Sequence, residues 1–431
     1  MTASNSNIKY TTSRNTAVTP AAERPLKIAL LGYRSHPFVG GQGIYIQYLS
    51  HALTALGHQV DVYSGPPYPQ LKQSVKLIKV PSLELFEQRN HVTALKLKHL
   101  RSYTDTFEWW AMLTGGFAEP YTFGRRVHKL LRNQQYDIIH DNQSLCYALL
   151  KLQKKHHVLA TIHHPIHRDR QIAIDAAKTR GLKLLTKRWY SFLSMQEKVV
   201  DKLKHVITVS QTSRHDIDRY FGRPHEQVQV ISNGIDTETF RPLSSINKQP
   251  WRLITTASAD QPLKGLNYLL EAIHTLKTEY PQICLQVVGK LQSGGNTEKT
   301  IQRLQLAEHI EFCHGISTEA LVEQYAKASI AISPSLYEGF GLPAGEAMAC
   351  GLAVIVTDGG ALPEVVGKAG ITVPKANSLA LAQQIRHLFK HPEQQKALGK
   401  QARQRVCDNF SWQTVALQLT QHYLNIIDGK T

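Results

Sequence analysis

The sequence predicts an α/β fold made of two Rossmann-like, doubly wound domains that face each other across a cleft. Short apolar runs alternate with helical patterns along most of the chain, as in doubly wound parallel sheets. The 431 residues are too many for one ordinary core and fit two domains of roughly 200 residues each. A turn-rich polar stretch at 233–250 separates two such series. The strand-end loops of both series are therefore expected to meet in the cleft.

The N-terminal series opens with the apolar run 26–34, which is typical of a buried parallel strand. A glycine loop and an amphipathic helix follow, because apolar residues recur at four-residue spacing until Gly57, which ends the helix. The recurring residues are Ile44, Tyr48, Ala52 and Leu56. Further strands are predicted at 59–65, 136–141, 157–164, 205–210 and 228–232. Together these elements predict an N-terminal domain at 26–240.

The C-terminal series follows the polar linker, which contains Pro242 and Pro250. Its predicted strands are the runs WRLITTAS, CLQVVGK, HIEFCHG, ASIAISPS and LAVIVTD, with helices between them. We expect a C-terminal domain at 241–412 and a last helix at about 413–431 that packs back on the N-terminal domain. Residues 1–25 are polar and lack the apolar stretch of a signal peptide, so they are expected to form a disordered tail.

The composition, 42% hydrophobic and 19% charged, is that of a globular protein. No apolar run reaches the roughly 18 residues of a membrane span. The five cysteines are scattered and never paired as CxxC, which is usual in a reducing compartment. These features predict a cytoplasmic protein without a membrane-spanning helix.

The net charge of +17 is unevenly distributed. Residues 241–412 hold 17 Lys and Arg against 14 Asp and Glu, whereas the rest of the chain holds 33 against 19. The basic part favours an anionic partner, which could be a membrane surface, a nucleic acid or a phosphorylated ligand. A solvated basic surface that only aids solubility is the alternative.

The stretch SLYEGFGLPAGEAMACG, residues 335–351, places Glu338 and Glu346 on either side of a glycine-rich loop. It follows one predicted strand and precedes another, so it is expected to be a strand-end loop and a short helix with Pro343 in its first turn. The loop amides have few side chains in front of them, and a helix start favours an anion. The stretch therefore suits a phosphate or sugar oxygen, or is only a turn with a glutamate that stabilises the helix dipole.

This stretch and its continuation, YEGFGLPAGEAMACGLAVIVTDGGALPEVV, resemble the signature of the retaining glycosyltransferases of family 4, which have the GT-B fold. The family's E-x7-E motif matches Glu338 and Glu346. The segments GGQGIYIQYLSHALTALGHQVDV and VITVSQTSRHDIDRYFG also resemble parts of this family, so the resemblance covers nearly all of the chain after residue 26. A lone E-x7-E would be weak, but the ordered set is specific.

The resemblance implies a role for each matching residue. Glu346 would accept hydrogen bonds from the ribose hydroxyls of a nucleotide-sugar, and Glu338 would lie near the donor sugar. Lys264 matches the family lysine that neutralises the diphosphate, where a fixed cation stabilises the charge of the leaving group. The donor would also contact the backbone of the loop, namely Gly339, Phe340, Gly341 and Leu342. Gly40 and Gly41 would approach the diphosphate from the other domain.

The sequence departs from the family pattern at one position. The family usually places an arginine five residues before the lysine, but this chain has Ser258 and Ala259 there. One phosphate-binding cation is therefore missing from the expected set. Either another residue replaces it or the donor binds with a different geometry.

Histidines at a predicted strand end offer a further candidate. His163 in ATIHHPIH matches a family histidine that lies beside the donor sugar, so the resemblance implies a catalytic role for it. His164 and His167 are irregularly spaced, and the family's reaction needs no metal, so no metal site and no cofactor are expected. His140 also ends a predicted strand and is a weaker candidate.

The resemblance implies the reaction as well. A hexose, carried most often by UDP, would pass with retained configuration from a nucleotide-sugar on the C-terminal domain to an acceptor hydroxyl on the N-terminal domain. Domain closure would exclude water. The expected partners are the donor and a saccharide or lipid-linked acceptor, and no nucleic acid.

Two basic segments, 167–205 and 91–113, mix Lys and Arg with Leu, Trp and Tyr. Basic amphipathic helices of this kind can lie on anionic membranes. The protein is expected to be cytoplasmic. Because many members of the family glycosylate lipid acceptors, the basic segments also favour a peripheral position on the inner face of a membrane. Ordinary helices with apolar faces turned inward are the alternative.

Other functions stay open on the sequence. A nucleotide-sugar epimerase, a sugar phosphorylase and a non-catalytic protein that binds an anionic ligand would all suit a similar scaffold. A nucleic-acid binder lacks the expected aromatic stacking platform. A Rossmann dehydrogenase is disfavoured because GGQGIYI is not G-x-G-x-x-G.

Overall fold

The computed structural model describes residues 24–37, 41–85, 96, 100, 102–257 and 259–430. The predicted polar tail lies outside these residues except for Arg24 and Pro25. Residues 91–95, 97–99 and 101 of the basic segment predicted at 91–113 also lie outside them. No helix in the described part of the chain is both long and apolar enough to cross a membrane.

The N-terminal domain is built on a seven-stranded parallel sheet with the order β3-β2-β1-β4-β5-β6-β7. Its interior strands are apolar on both faces because helices cover both sides of the sheet. The strands are β1 (Lys27–Gly32), β2 (Gln59–Ser64), β3 (Lys76–Lys79), β4 (Ile138–Asn142), β5 (Val158–Ile162), β6 (His205–Thr208) and β7 (Val228–Val230). The predicted strands are all present, and β3 is an additional strand at the edge of the sheet.

Eight helices of the described residues belong to this domain. They are α1 (Gly41–Ala55), α2 (Tyr103–Leu113), α3 (Glu119–Leu131), α4 (Tyr147–Leu152), α5 (His167–Ala176), α6 (Arg180–Trp189), α7 (Leu193–Lys202) and α8 (Gln211–Phe221). Ser210 caps α8 by accepting a hydrogen bond from the Ser213 amide, and Gly222 ends α8 in the left-handed conformation. The segment 167–205 therefore forms three helices, and the first two bury no residue.

The C-terminal domain has a six-stranded parallel sheet with the order β10-β9-β8-β11-β12-β13. Its strands are β8 (Arg252–Thr256), β9 (Cys284–Val288), β10 (Ile310–Cys313), β11 (Ile330–Ser333), β12 (Ala353–Thr357) and β13 (Ile371–Val373). Its helices are α9 (Leu266–Leu276), α10 (Asn296–Arg303), α11 (Thr318–Lys327), α12 (Leu342–Ala349), α13 (Leu362–Val366), α14 (Ser378–Lys390) and α15 (Pro392–Asn409). Two doubly wound α/β domains in tandem are thus confirmed as the fold class.

The last helix, α16 (Trp412–Ile427), returns to the first domain and packs against α1. Val415, Leu419 and Tyr423 are fully buried in the core beneath α1. The chain therefore crosses between the domains twice, once near residue 235 and once near residue 411, where Ile235 and Ser411 form an isolated bridge. These two crossings hold the carboxyl ends of the two sheets opposite each other.

Candidate active site

The carboxyl ends of the two sheets border a cavity of about 340 Å³. Parallel sheets place their strand-end loops at this edge, and ligands bind there in open α/β folds. The N-terminal domain lines the cavity with α1 and the loop after β5, and the C-terminal domain with the loops before α9 and α12. The lining residues used below are Gly41, Gln42, Tyr45, His163, His164, Lys264, Glu338, Gly339, Phe340, Gly341, Leu342 and Pro343.

Lys264 and Glu338 form an ion pair in this cavity. The Lys264 Nζ atom lies 2.7 Å from Glu338 Oε1, and the Ser335 hydroxyl donates to the same oxygen at 2.8 Å. Lys264 ends a single 3₁₀ turn that is closed by Gly265 at φ +64°. A Cβ on Gly265 would lie 2.0 Å from the Pro334 carbonyl oxygen, so only glycine allows the lysine-bearing turn to approach the 335–338 loop.

The loop 338–342 presents free backbone amides to the cavity. Among the described residues, no acceptor takes a hydrogen bond from the amides of Gly339, Phe340, Gly341 or Leu342. Gly341, at φ +100°, is the residue before α12, so its amide and that of Leu342 are unsatisfied donors of a helix start. Such donors, together with the helix dipole, can bind an anionic or hydroxyl oxygen.

Glu346 follows the loop in the chain and is half-buried. It belongs to α12, one turn beyond Pro343, and is not among the residues that line the cavity. The Tyr325 hydroxyl donates to Glu346 Oε2 at 3.4 Å. Burial raises the pKa of the Glu346 carboxyl to about 7, so its charge depends on pH near neutrality.

His163 comes from the opposite wall, directly after β5. Its Nε2 atom lies 2.7 Å from Asn142 Oδ1, and the Asn142 amide nitrogen donates to the Gln42 carbonyl at 3.0 Å. The second bond fixes the orientation of the Asn142 amide, so Nε2 of His163 must carry the proton and Nδ1 the lone pair. Burial lowers the pKa of His163 to about 3, so the ring is neutral at ordinary pH. The edge of the Tyr45 ring packs on it with 4.7 Å between the ring centroids.

The other histidines play different parts. His164 pairs with Asp169 at 3.2 Å and His167 with Glu197 at 2.9 Å. The described residues contain no group of three side chains that could hold a metal ion.

His140 is only 1% exposed, and its two ring nitrogens bond the Tyr423 hydroxyl and the Thr161 hydroxyl at 2.6 Å each. It therefore joins β4, β5 and α16 in the core and does not line the cavity. Burial also lowers the pKa of His140 to about 3, so it is held there in its neutral form.

The start of α8 connects both walls of the cavity, and the sequence did not predict this. The Ser210 hydroxyl donates to the Gly339 carbonyl at 2.8 Å, and the Ser213 hydroxyl donates to the His163 carbonyl at 2.9 Å. The Glu364 carboxylate, from α13 of the other domain, accepts from the amides at 211 and 212 at 2.7 and 2.8 Å. In the sequence, this contact could be inferred only from the acid in ALPEVV. Its partners lie about 150 residues away in the chain, so no local pattern connects them.

The missing arginine has no evident substitute in the cavity. Ala259 is 5% exposed, and Ser258 and Gly40 lie outside the described residues. Lys264 is the sole Lys or Arg among the described residues of the cavity lining. Gly41 does line the cavity, and apart from its chain neighbours and its own helix backbone no atom of a described residue lies within 4 Å of where its Cβ would be.

Comparison with protein families gives two matches that together span most of the chain. The model described as Glycosyltransferase Family 4 matches residues 39–239, and the model described as Glycosyl transferases group 1 matches residues 236–405. The chain is 41% identical over 405 residues to the MMP alpha-(1->4)-mannosyltransferase of Mycolicibacterium hassiacum, covering 92% of this chain and 98% of that protein. It is 26% identical to a D-inositol 3-phosphate glycosyltransferase of Streptomyces bingchenggensis, covering 94% and 90% of the two chains.

Solved structures agree on the fold. Sucrose-phosphate synthase from Thermosynechococcus elongatus superimposes with a TM-score of 0.70 at 24% identity, covering 94% of this chain and all of that one. A glycosyltransferase from Rickettsia africae gives a TM-score of 0.65 at 18% identity, covering 94% and 99% of the two chains. At these identities the likeness concerns the arrangement of the two domains.

Proposed function

This chain belongs to glycosyltransferase family 4, and on that premise we propose that it transfers a hexose, with retention of configuration, from a nucleoside diphosphate sugar to a saccharide hydroxyl. It is a glycosyltransferase with the GT-B fold, as the sequence resemblance predicted. The observation that carries the proposal is the placement of Lys264 and the unsatisfied amides of 339–342 on one wall of the cavity, opposite His163.

The donor diphosphate would bind between Lys264 and the loop amides. A departing diphosphate gathers negative charge, and a fixed cation with fixed N–H donors stabilises that charge without reorganisation. In the structure the Lys264 ammonium is neutralised by Glu338 at 2.7 Å. When the diphosphate binds, it takes over the ammonium, and the Glu338 carboxylate becomes available to the hydroxyls of the donor sugar.

Glu346 would accept hydrogen bonds from the ribose hydroxyls of the donor. This role requires the cavity to extend one turn along α12 beyond Pro343, since Glu346 does not line it in the free protein. The sequence resemblance predicts uridine as the base, and this stays a prediction. The relative that is 41% identical is named a mannosyltransferase, which makes GDP-mannose the donor to compare with UDP-sugars.

The transfer step exchanges one bond at the anomeric carbon. The bond from this carbon to the diphosphate oxygen breaks as the bond to the acceptor oxygen forms on the same face. The acceptor proton passes to the leaving diphosphate. His163 is neutral, and its Nε2 proton is donated to Asn142. It is therefore suited to orient the donor sugar and to exclude water, and not to supply a proton. That the step needs no metal stays a prediction.

The acceptor would be a saccharide, and an α-linked mannosyl product is the first to test because of the relative's name. A lipid-linked saccharide is the second acceptor class. It would bring the protein to a membrane surface, as predicted from the basic segments.

A donor screen tests the proposal. The release of UDP or GDP is measured with UDP-glucose, UDP-galactose and GDP-mannose, each with and without an oligomannoside acceptor. We expect release that depends on the acceptor from one donor, and a product whose anomeric proton signal in NMR matches the donor configuration.

Three outcomes would contradict the proposal. They are isomerised sugar without an acceptor, which indicates an epimerase; turnover only with inorganic phosphate, which indicates a phosphorylase; and donor binding without turnover for every acceptor class.

A further inference from the structure

Helix α2 exposes a ladder of aromatic side chains on one face. Tyr103, Phe107 and Trp110 lie at positions i, i+4 and i+7, and their ring centroids are 6.2 and 6.3 Å apart in sequence order. Tyr103 is 64% exposed and Trp110 50% exposed, and Leu113 continues the face at 45%. Exposed apolar side chains that adjoin one another and are bordered by charged residues are typical of an interaction site.

Helix α6 extends this apolar surface. None of its residues is buried. Leu182, Leu184 and Leu185 are 47%, 68% and 51% exposed. The helix touches α2, since the Arg188 guanidinium lies 5.6 Å from the centre of the Trp110 ring. The charged residues of α6 are all basic, namely Arg180, Lys183, Lys187 and Arg188.

A basic groove runs between α3 and α4. Its volume is about 440 Å³, and the described residues that line it include no carboxylate. The lining side chains that carry or can carry positive charge are Arg125, His128, Lys129, Arg132 and Lys151, beside Tyr121 and Tyr147. The acids of α2, Asp105 and Glu108, are engaged elsewhere, because both bind Arg126 at 2.5 and 2.6 Å.

The groove, the ladder and α6 form one continuous surface, here called the basic–aromatic face. The Arg125 guanidinium lies 4.9 Å from the centre of the Tyr103 ring, and the Phe107 and Tyr121 rings meet edge to face at 5.1 Å. At the other end, the last residue of α6, Trp189, stacks on Phe117 at 5.2 Å.

Through Phe117, the basic–aromatic face reaches the carboxyl edge of the N-terminal sheet. Phe117 packs on Tyr33 with 6.4 Å between the ring centroids, and Tyr33 directly follows β1 at the carboxyl end of the sheet. The cavity lies at the same edge of this sheet, so the face and the cavity share one end of the N-terminal domain.

We propose that the basic–aromatic face docks on an anionic lipid bilayer, with a lipid phosphate in the α3–α4 groove and the exposed rings and leucines in the headgroup boundary. Basic helices with aromatic and leucine side chains bind such surfaces through apolar burial and attraction to anionic lipids together. A second copy of the chain fits less well, because pairing the same face would bring like charges together. An RNA would leave the exposed leucines without a partner. The inference deepens the proposed function by favouring its lipid-linked acceptor, but lipid binding is measured without any turnover.

Vesicle co-sedimentation of the full chain tests the proposal. Vesicles of neutral phosphatidylcholine are compared with vesicles that contain about 40% phosphatidylglycerol, at about 50 mM salt where screening is modest. We expect binding only to the anionic vesicles and at least about tenfold weaker partitioning of Lys129→Glu/Lys151→Glu.

The matched control is Lys396→Glu/Lys400→Glu, which makes the same charge change at exposed positions of α15 and should keep most of the binding. Leu184→Ser/Leu185→Ser should lower binding several-fold, and thermal melting checks that each variant folds.

Several outcomes would overturn the proposal. No pelleting with anionic vesicles, or equal losses in the groove and control double variants, would mean that no specific lipid face exists. If inorganic phosphate or glycerol phosphate binds in the groove but the protein does not bind vesicles, the groove is a site for a soluble anion. A dimer in light scattering that Leu184→Ser/Leu185→Ser abolishes, or RNA binding of the vesicle-negative protein, would assign the face to those partners. Failure of the donor screen with intact vesicle binding would reject the proposed function alone.

Discussion

Lys264 and Glu338 are held 2.7 Å apart in the lining of the interdomain cavity, although they lie on different loops 74 residues apart in the chain. The pair is partly shielded from solvent, with side-chain exposures of 29% and 15%. Lys264 therefore has its charge fixed in place before a donor arrives, which is the condition for electrostatic stabilisation of a leaving group.

Replacement of Lys264 is expected to slow transfer more than it weakens donor binding. Lys264→Met should lower kcat by about 10²- to 10³-fold, because the cation acts most strongly on the charge that develops in the transition state. Steady-state nucleotide release with saturating acceptor measures this. Lys299→Met, at an exposed position of α10, is the control. A kcat within a factor of two of the wild type would show that Lys264 does not contact the leaving group.

Glu346 should make stability depend on pH. Burial raises the pKa of its carboxyl from 4.5 to about 7, so between these values the folded protein binds more protons than the unfolded chain. This contribution is present at low pH and is lost as pH rises through 7. Glu346→Gln removes the cost of the buried charge, so it should raise the melting temperature relative to the wild type at pH 8 and much less at pH 5. A difference of the same size at both pH values would contradict the raised pKa.

His163 should stay neutral through the working pH range. Because its pKa is lowered to about 3, the rate profile of the wild type should show no limb near pH 6 to 7 from this residue. Asn142→Asp would place a carboxylate at the position of the Asn142 Oδ1 atom, 2.7 Å from Nε2, and an anion at that distance raises the pKa of an imidazole.

Two measurements check this expectation. NMR titration of the histidine signals should show one signal moving to a higher pKa in Asn142→Asp, and the rate profile should gain a limb at that pH. Asn142→Ala is the control, since it removes the hydrogen bond without adding a charge. An unchanged histidine titration in Asn142→Asp would show that the ring does not face residue 142.

Glu364 should hold the two domains together through its hydrogen bonds to the start of α8, a contact here called the clasp. Its carboxylate bonds two amides at the start of α8, so Glu364→Gln is expected to cost about 1 kcal/mol of helix capping. Because the clasp joins the domains, we also expect a larger radius of gyration in small-angle scattering and a several-fold higher donor KM.

Glu393→Gln is the matched control for the clasp. Glu393 occupies the first turn of α15, within the C-terminal domain. An effect on stability alone, equal in the two variants, would reduce Glu364 to an ordinary helix cap.

Several expectations from the sequence correspond to features of the structure. The strand and helix periodicities predicted two doubly wound sheets, and the structure has both. Lys264, Glu338, His163 and the 339–342 loop were chosen by resemblance, and the fold brings all of them to one cavity. Their roles in catalysis remain predictions. These placements could be predicted from the sequence because each residue follows a strand, and strand ends share one edge of a parallel sheet.

Other features were beyond the sequence. His140 also follows a strand pattern, but its ring lies in the core against Tyr423, which comes from a helix 283 residues later. Glu346 lies one turn beyond the residues that line the cavity, and its role in the donor site stays a prediction. The direction in which a side chain points depends on the neighbours that the fold supplies.

The sequence by itself determined the architecture, because alternating apolar runs and glycine turns act over a few residues and recur along the whole chain. Tertiary structure alone decided the protonation of His163, the elevated pKa of Glu346 and the clasp between Glu364 and α8. It also joined α2, α3, α4 and α6 into one basic and aromatic surface. Burial and electrostatic interaction depend on distances in space, and these are set by how the two domains fold and meet.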